Sequence, residues 1–406
     1  MALEQPGPED WTTEESLDEL ELLAGSAGAL VVSRVVQRRE GPTSSHYIGS
    51  GKAEGLREVC AERGADLVIF DDELSPTQQR NLEGTIGVRV IDRTQLILDI
   101  FARRARTKEG QLQVELAQLK YLLPRLAGQG ASLTRLGGGI GTRGPGETKL
   151  EVDRRRIRRR LAELERETEG LRQHRRLQRE NRHQVPYPVV SLVGYTNAGK
   201  STLFNTLTAA GVRAEDRLFA TLDPTTRRLT LPEYGEVLLS DTVGFIHKLP
   251  HHLVAAFRAT LEELVEADLL VQVVDASHPQ ARQQMAVVAG VLVEIGAGEK
   301  PMVTALNKAD RCDPESLDFL AREGREAVVI SARRRTGLDE LLRAMARAFR
   351  QRLEPLRLVV PYDRQGLLSL IHEKGRVTRL EYGEAGIVVE AEIEGVWARR
   401  LREELA

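Results

Sequence analysis

Short apolar runs alternate with helix-like stretches in the first quarter of the chain. Apolar residues of β-strand type fill positions 29–32, 65–70 and 88–91, and positions 53–62 fit a helix. Strands and helices that alternate at this spacing are typical of βαβ units. The pattern therefore predicts a small parallel α/β domain over residues 29–106.

The hydrophobic spacing then changes to a helical period. Leucines recur at intervals of four, three and four residues over 112–123, and a second apolar stripe covers 157–171. Two such stripes predict an antiparallel helical hairpin over residues 107–185. The segment between them, 128–148, is rich in glycine and too long for a simple connector.

Two further domains follow the hairpin. Apolar runs again alternate with helix-like stretches over residues 186–354, which predicts a second α/β domain. Residues 355–406 combine a short apolar run, a helix-like stretch at 365–372 and a hairpin-like pattern over 377–393. We expect a small α+β domain at this end of the chain.

Charge is nearly balanced over the 406 residues, with 58 basic and 60 acidic side chains, but it is uneven locally. Residues 149–182 carry 13 basic and 7 acidic side chains, including an arginine cluster at 154–160. A solvated helix face explains such a run, but the glycine-rich segment before it, with Arg135 and Arg143, also suits contact with nucleic-acid phosphates. Residues 1–28 hold 8 acidic and no basic side chains, which predicts a solvated acidic extension.

The composition excludes several classes of protein. A chain with 41% hydrophobic and 29% charged residues is neither disordered nor collagen-like. The longest uncharged stretch, 183–199, contains two prolines, so no membrane span is predicted. Cys60 and Cys312 are too few for a disulfide framework, and no basic residue precedes Arg34 as a secretory signal would require. We therefore expect a cytoplasmic protein, with peripheral membrane association left open.

A strand-like run at 189–193 leads into the sequence Gly-Tyr-Thr-Asn-Ala-Gly-Lys-Ser, which matches a phosphate loop. The glycines let backbone N–H groups turn toward a triphosphate, Lys200 reaches the β- and γ-phosphate oxygens, and the Ser201 hydroxyl binds Mg²⁺. The helix that follows points its positive end at the same anion. We predict nucleotide contacts from Gly194, Tyr195, Thr196, Asn197, Ala198, Gly199, Lys200 and Ser201.

A second strand-like run, 237–240, ends in the sequence Asp-Thr-Val-Gly. Asp241 at a strand end can hold Mg²⁺ through water, and the Gly244 amide can donate to the γ-phosphate, so this loop can sense hydrolysis. The motif is common, but its place after the phosphate loop supports the assignment. We predict that the nucleotide lies against Asp241, Thr242, Val243 and Gly244.

The base is indicated by two motifs that each close a β-type run. A carboxylate at Asp310 can accept hydrogen bonds from guanine N1–H and the amino group, whereas adenine lacks the N1 hydrogen. Sites that form hydrogen bonds with such donors discriminate against an analogue that lacks them by a factor of roughly 10⁴ to 10⁵. Four motifs in this order predict a P-loop (Ras-like) GTPase domain that binds GTP and GDP. The residues assigned to the base are Asn307, Lys308, Ala309, Asp310, Ser331, Ala332 and Arg333.

The segment between the phosphate loop and Asp241 should close over the nucleotide and give Mg²⁺ a second hydroxyl. Thr221, Thr225 and Thr226 all qualify on chemistry alone, and spacing does not choose among them.

The order of these motifs, with Phe-Ala-Thr-Leu-Asp-Pro-Thr from Phe219 and the glycine-rich signature over 137–151, resembles the HflX family of ribosome-associated GTPases. The resemblance runs from about residue 31 to the C-terminal domain. It implies that Thr221 is the Mg²⁺ ligand and that Phe219, Ala220, Thr221, Leu222 and Asp223 line the nucleotide. It also implies binding to the large (50S) ribosomal subunit and its rRNA, GTP hydrolysis there, and dissociation of stalled or idle ribosomes.

The same resemblance raises the possibility of ATP hydrolysis in the N-terminal domain, where the sequence offers only the fragment Gly-Ser-Gly-Lys at 49–52. The acidic residues 1–28 are not part of the family signature.

Phe245 departs from Ras-type chemistry. It stands where Ras-type enzymes place a glutamine that orients the attacking water, and a phenyl ring cannot do so. With Lys200, Thr221 and Gly244 as the catalytic residues, we expect slow intrinsic hydrolysis that a partner accelerates. The alternative is that Phe245 packs below the loop and another group positions the water.

These observations predict a Mg²⁺-dependent GTPase switch, with Ser201, Thr221 and Asp241 as metal ligands, that acts as a monomer on the ribosome. The first alternative is a GTPase that regulates RNA modification or another partner without splitting ribosomes. The second is a GTP-dependent scaffold whose turnover is incidental.

Overall fold

The computed structural model describes residues 1–6, 11–126, 149–182, 187–208, 218–219, 221–222, 225–248, 250, 258–350, 353–383 and 385–405. The predicted site residues Ala220 and Asp223 and the glycine-rich segment with Arg135 and Arg143 lie outside these ranges. The described residues form the predicted architecture, in which an α/β region and two long helices precede a P-loop domain and a small C-terminal α+β domain.

The N-terminal region contains two short parallel strand pairs. They are β1 (Ala2–Glu4) with β2 (Val36–Arg38), and β3 (Leu67–Phe70) with β4 (Arg89–Asp92). The predictions at 65–70 and 88–91 are confirmed. Residues 29–32 form no strand, and with Leu30 87% and Val32 45% exposed the run is not buried as the strand prediction assumed. The helices of this region are α1 (Thr13–Ser26), α2 (Ser50–Arg63), α3 (Pro76–Ile86) and α4 (Arg93–Arg104).

The interpretation of residues 1–28 as a solvated extension is wrong for residues 13–26, which form a packed helix. One face of α1 packs into the same hydrophobic core as α4, through Leu17, Leu20, Leu23 and Ala24. Most of the acidic side chains lie outside this core, and Asp18 and Glu21 form ion pairs with Arg34 at the surface. Helical spacing of the apolar residues therefore outweighs the net charge of the segment.

The two predicted leucine stripes belong to α5 (Lys108–Leu126) and α6 (Lys149–Arg182), which pack against each other through Leu112, Leu116, Leu119, Leu161, Leu164 and Leu171. Within the arginine cluster, Arg160 pairs with Glu115 at 2.8 Å, whereas Arg156 and Arg159 are exposed. None of the described helices combines the length and the apolar character that crossing a bilayer requires.

The central domain is built on a six-stranded sheet in which only β6 and β7 pair in antiparallel fashion. Its spatial order is β10 (Ala327–Val329), β9 (Met302–Asn307), β8 (Leu269–Asp275), β5 (Val189–Gly194), β7 (Gly235–Asp241) and β6 (Thr225–Leu231). The described helices are α7 (Lys200–Thr208), α8 (Arg258–Glu266), α9 (Ala281–Glu294), α10 (Pro314–Glu323) and α11 (Leu338–Arg350). Continuous apolar runs in β5 and β8 fit strands buried on both faces.

The C-terminal domain is a three-stranded antiparallel sheet with two helices. The strands lie in the order β11 (Leu353–Val360), β13 (Gly386–Glu394) and β12 (Gly375–Gly383). The predicted helix at 365–372 is confirmed as α12 (Gln365–Lys374), and the hairpin over 377–393 is confirmed as β12 and β13. A final helix that the sequence analysis did not identify, α13 (Gly395–Leu405), contributes Ala398 and Leu401 to the core.

Replacement of Leu23 by alanine is expected to lower the free energy of unfolding by about 2–5 kcal/mol, because the side chain is fully buried. The neighbouring replacement Leu22→Ala is the matched control, since Leu22 is 58% exposed, and it should change stability by less than about 0.5 kcal/mol. Denaturant unfolding of both variants measures the difference. Equal losses would contradict the packing of α1.

Candidate functional site

The phosphate loop connects the carboxyl end of β5 to the amino end of α7. At Gly199 φ is +97°, and a Cβ atom there would collide with the side-chain amide of Asn307. At Gly194 a Cβ atom would collide with the carbonyl oxygen of Val273. Glycine at both positions is therefore required by the backbone path, because a side chain would separate the loop from β8 and β9.

Lys200 lies buried inside this loop. Its Nζ donates hydrogen bonds to the carbonyl oxygens of Gly194 at 3.1 Å and Tyr195 at 2.8 Å. Burial lowers the pKa of Lys200 to about 8, against the opposing effect of the Asp241 charge. The ammonium group of Lys200 is thus held at the inner side of the loop. A phosphate oxygen bound there would supply the negative charge that stabilises the ammonium group.

The three residues predicted as metal ligands come together beside Lys200. Ser201 Oγ lies 2.8 Å from Thr221 Oγ1 and donates to Asp241 Oδ2 at 2.7 Å, and Thr221 Oγ1 donates to the same oxygen at 3.0 Å. Thr225 and Thr226 begin β6, where Thr225 is the ladder partner of Asp241 in β7. The structure thus brings Thr221 to the cluster, as the family resemblance implied.

This cluster fits Mg²⁺. Two hydroxyls and a carboxylate are hard oxygen donors of the kind that Mg²⁺ prefers. Asp241 is fully buried, and its Oδ1 has no hydrogen-bond partner among the described residues. Burial raises the pKa of Asp241, against hydrogen bonds from Ser201 that lower it, so the carboxylate gains from a nearby cation.

The loop after β7 runs directly over the phosphate loop. The Phe245 N–H donates to the Gly194 carbonyl at 3.1 Å, and the Phe245 carbonyl accepts from the Thr196 N–H at 2.7 Å. A Cβ atom at Gly244 would lie 2.9 Å from Lys200 Nζ, so only glycine brings this backbone so close. Phe245 is 1% exposed and belongs to the hydrophobic core, so its ring packs below the loop.

Two other residues of this loop have structural contacts. The Thr242 hydroxyl donates to the carbonyl oxygen of Leu192 at 2.6 Å, and Val243 is buried. Their side chains thus serve the packing between β5 and β7. Any contact of Thr242 or Val243 with a nucleotide would come from the backbone.

The residues assigned to the base meet at the ends of β9 and β10. Asn307 bridges the two loops, because its Nδ2 donates to the Ala198 carbonyl at 2.9 Å and its Oδ1 accepts from the Ala332 N–H at 3.0 Å. Lys308 donates to Asp275 Oδ2 at 2.6 Å, and Ala309 begins a short 3₁₀ turn. Asn307 therefore fixes the base-binding loops relative to the phosphate loop.

The Asp310 carboxylate is oriented by Ser331, whose hydroxyl donates to Asp310 Oδ1 at 2.6 Å. This hydrogen bond lowers the pKa of Asp310, which favours the charged acceptor form. Arg334 Nε approaches the second carboxylate oxygen at 3.4 Å, whereas the predicted Arg333 is exposed. Asp275 and Arg334 were missed by sequence reasoning because neither lies within a nucleotide motif.

The N-terminal region also reaches the site. Phe219 packs edge-on against Phe101 of α4 with ring centroids 4.6 Å apart, and Leu222 is buried in the same core. The Tyr195 hydroxyl points away from the loop and donates to Glu19 of α1. No signal in the sequence identified these contacts, since they join residues far apart in the chain.

A mostly parallel sheet with a phosphate loop, a hydroxyl–carboxylate cluster for Mg²⁺ and an Asp310 acceptor for guanine defines a P-loop GTPase. Family models match most of this chain up to residue 308: "GTP-binding GTPase N-terminal" over residues 14–102, "GTP-binding GTPase Middle Region" over 104–182 and "50S ribosome-binding GTPase" over 189–308. The chain belongs to the HflX family of GTPases, with GTP as substrate and Mg²⁺ as cofactor.

Named relatives are similar over most of their length. GTPase HflX of Caldanaerobacter subterraneus subsp. tengcongensis is 51% identical over 395 residues, which covers 97% of this chain and 90% of that protein. GTPase HflX of Escherichia coli (strain K12) is 48% identical over 337 residues, covering 82% and 78%. Among solved structures, the complex of SsGBP with GDP is 27% identical and covers 85% of this chain and 97% of that one, with a TM-score of 0.48.

Replacement of Asp310 by asparagine is expected to lower the preference for GDP over ADP by about 10- to 100-fold, since a hydrogen bond to a charged group contributes about 1.5–3 kcal/mol. Calorimetric titration with both nucleotides measures this ratio. Asp318→Asn, on the exposed side of α10, is the matched control and should keep the wild-type ratio. An unchanged ratio in Asp310→Asn would contradict the assigned role.

Proposed function

We propose that this protein is a Mg²⁺-dependent GTPase that binds the 50S ribosomal subunit and its rRNA, dissociates stalled or idle ribosomes, and leaves after GTP hydrolysis. The observation that carries the proposal is the pairing of a GTP site with a long helix, α6, on which Arg156 and Arg159 are exposed. The match of residues 189–308 to the 50S ribosome-binding GTPase model supports the choice of partner.

The chemistry follows from the positions of the site residues. Lys200 is already desolvated and would exchange its two carbonyl partners for β- and γ-phosphate oxygens. Mg²⁺, held by Ser201, Thr221 and Asp241, would neutralise charge on the same oxygens. The Gly244 N–H would donate to the γ-phosphate, so the loop after β7 changes its contacts when that phosphate leaves.

Water positioning needs a group other than Phe245, because that ring is buried in the core. Ras-type enzymes have glutamine immediately after this glycine, whereas Phe245 follows Gly244 here and carries no acid, base or amide group. We infer that the ribosome completes the arrangement, either by supplying a group or by moving the loop. Free protein then hydrolyses GTP slowly and keeps its GTP-bound form until it meets the partner.

Exposed arginines on α6 suit a nucleic-acid partner. Arg156 and Arg159 project from a helix whose leucine side is covered by α5, so their guanidinium groups face solvent. Contacts of this kind recognise phosphate position and RNA shape without reading a sequence. A GTPase that regulates RNA modification would use the same domain, but the described residues contain no group of three or more His, Cys, Asp or Glu side chains that could hold a metal ion for a second reaction.

Other features stay predictions, namely action as a monomer, location in the cytoplasm and ATP binding by the N-terminal domain. The Gly-Ser-Gly-Lys fragment opens α2, and the Gly49 N–H already donates to the Gln37 side chain at 2.9 Å. An ATP phosphate at this position would have to displace Gln37.

Sedimentation with purified 50S subunits tests the proposal. We expect the protein to pellet with subunits in a non-hydrolysable GTP analogue and to stay in the supernatant in GDP. Absence from the pellet in both nucleotides would overturn the ribosomal assignment.

Replacing Arg156 and Arg159 with alanine should weaken binding to 50S subunits and flatten its dependence on salt, by roughly one unit of slope for each phosphate that is no longer neutralised. Arg160→Ala is the matched control, because Glu115 already neutralises Arg160.

GTP turnover should rise when 50S subunits are added. Partner stimulation of Ras-like enzymes reaches about 10⁵-fold, and we expect a large increase in the rate here because Phe245 cannot orient the attacking water. Phosphate release measured with 50S subunits, with 30S subunits and with neither gives the comparison. Equal rates in all three would show that the free enzyme already positions its own water.

A further inference from the structure

A buried ionic cluster joins the N-terminal region to the GTPase domain. Arg93, the first residue of α4, is 2% exposed, and its guanidinium donates to Asp71 Oδ1 and Glu19 Oε2, both at 2.6 Å. It also donates to the carbonyl oxygens of Ser16 and His247, both at 3.1 Å. His247 belongs to the loop after β7. Arg93 therefore binds the nucleotide-sensing loop to α1 and to the end of β3.

Lys248 repeats this connection. Its Nζ donates to Asp71 Oδ2 at 2.8 Å and to Asp72 Oδ1 at 2.6 Å. Burial alone would lower the pKa of Lys248, but the charges of Asp71 and Asp72 raise it. Asp71 thus lies between two cations, and its pKa is about 2 although burial would raise it. A displacement of this loop would leave a buried carboxylate with fewer partners, which is costly.

The phosphate loop enters the same cluster through Tyr195. The His247 N–H donates to the Tyr195 hydroxyl at 2.6 Å, and that hydroxyl donates to Glu19. The His247 ring stacks on Trp11 with centroids 4.6 Å apart and planes 6° apart. Both sides of the γ-phosphate position, the phosphate loop and the loop after β7, are therefore attached to α1 and the residues before it.

A second link leads from this cluster to the helical hairpin. Asp92, which directly precedes Arg93, accepts from Arg125 Nη2 at 3.2 Å and from the Leu74 N–H at 3.0 Å. Arg125 also donates to the Leu74 carbonyl at 2.7 Å. Arg125 lies in the last turn of α5, with its guanidinium 3.4 Å from the Tyr121 ring centroid. Adjacent residues at the start of α4 thus hold the GTPase loop and the end of α5.

These contacts connect the loops of the nucleotide site to the hairpin through a series of hydrogen-bonded residues. Gly244 and His247 are three residues apart, and Phe245 between them is bonded to the phosphate loop on both its N–H and its carbonyl. A shift of Gly244 toward a γ-phosphate must either carry His247 and Lys248 with it or break their bonds to the cluster. Packed interiors respond to such shifts by adopting a second discrete arrangement.

We propose that this cluster, centred on Arg93, acts as a relay that makes the state of the α5–α6 hairpin depend on the nucleotide. The sequence of contacts runs from the loop after β7 through Lys248 and Asp71 to Arg93, and from the neighbouring Asp92 to Arg125. The relay operates in the free protein, so its test does not depend on the ribosomal assignment.

Hydrogen–deuterium exchange of the full chain with Mg²⁺ and either GDP or a non-hydrolysable GTP analogue tests the relay. In the wild type, amides of α5 and α6 should exchange at different rates in the two nucleotides. Lys248→Met and Arg125→Met should each abolish most of that difference, while calorimetry shows that both variants still bind nucleotide. The double variant should add nothing to the single ones, since both interrupt the same connection.

Lys120→Met is the matched control, because it removes the exposed Lys120–Glu165 ion pair between α5 and α6 without touching the cluster. This variant should keep the nucleotide-dependent difference. Asp72→Asn weakens the Lys248 link without removing a fully buried charge, and it replaces Lys248→Met if that variant does not fold. The relay is refuted if the wild type shows no difference, or if either the Lys248-side variant or Arg125→Met retains all of it.

Discussion

The carboxyl ends of four parallel strands meet at one edge of the central sheet, and the nucleotide site depends on this constraint. β5 ends in the phosphate loop, β7 in Asp241, β8 in Asp275 and β9 in Asn307. Because these strands are neighbours in the order β9-β8-β5-β7, motifs spread over more than a hundred residues converge on one crevice. Open α/β sheets bind ligands at such edges.

The polar groups of the site bond to one another. Lys200 is bonded to loop carbonyls, Ser201 and Thr221 to Asp241, and Ser331 to Asp310. Buried polar groups need partners, and these mutual bonds hold the side chains close to the positions that phosphate, Mg²⁺ and guanine require. Binding then exchanges one set of partners for another, which costs little reorganisation.

The GTPase domain is not packed separately from the N-terminal region. A single hydrophobic core contains Leu23 of α1 and Phe101 of α4 together with Val193, Phe219 and Phe245 around the phosphate site. Because they share one close-packed core, the nucleotide loops cannot move without a change in the packing of the N-terminal helices. The recognition of RNA proposed for the hairpin could therefore be coupled through this core to the nucleotide site of the central domain.

The sequence by itself determined the chemistry. The order of the motifs, each at the end of a β-type run, predicted the phosphate loop, Asp241 and Asp310, because each of these groups has a chemistry that suits one part of a guanine nucleotide. The residues alone left Thr221, Thr225 and Thr226 open, and the tertiary structure bonds the Thr221 hydroxyl to the Asp241 carboxylate, whereas Thr225 pairs with Asp241 only as its neighbour in the β6–β7 ladder. It also showed residues 13–26 as a packed helix and Arg93 as the centre of a buried cluster. Local patterns report backbone preference and ligand chemistry, whereas the partners of a buried charge are set by segments far away in the chain.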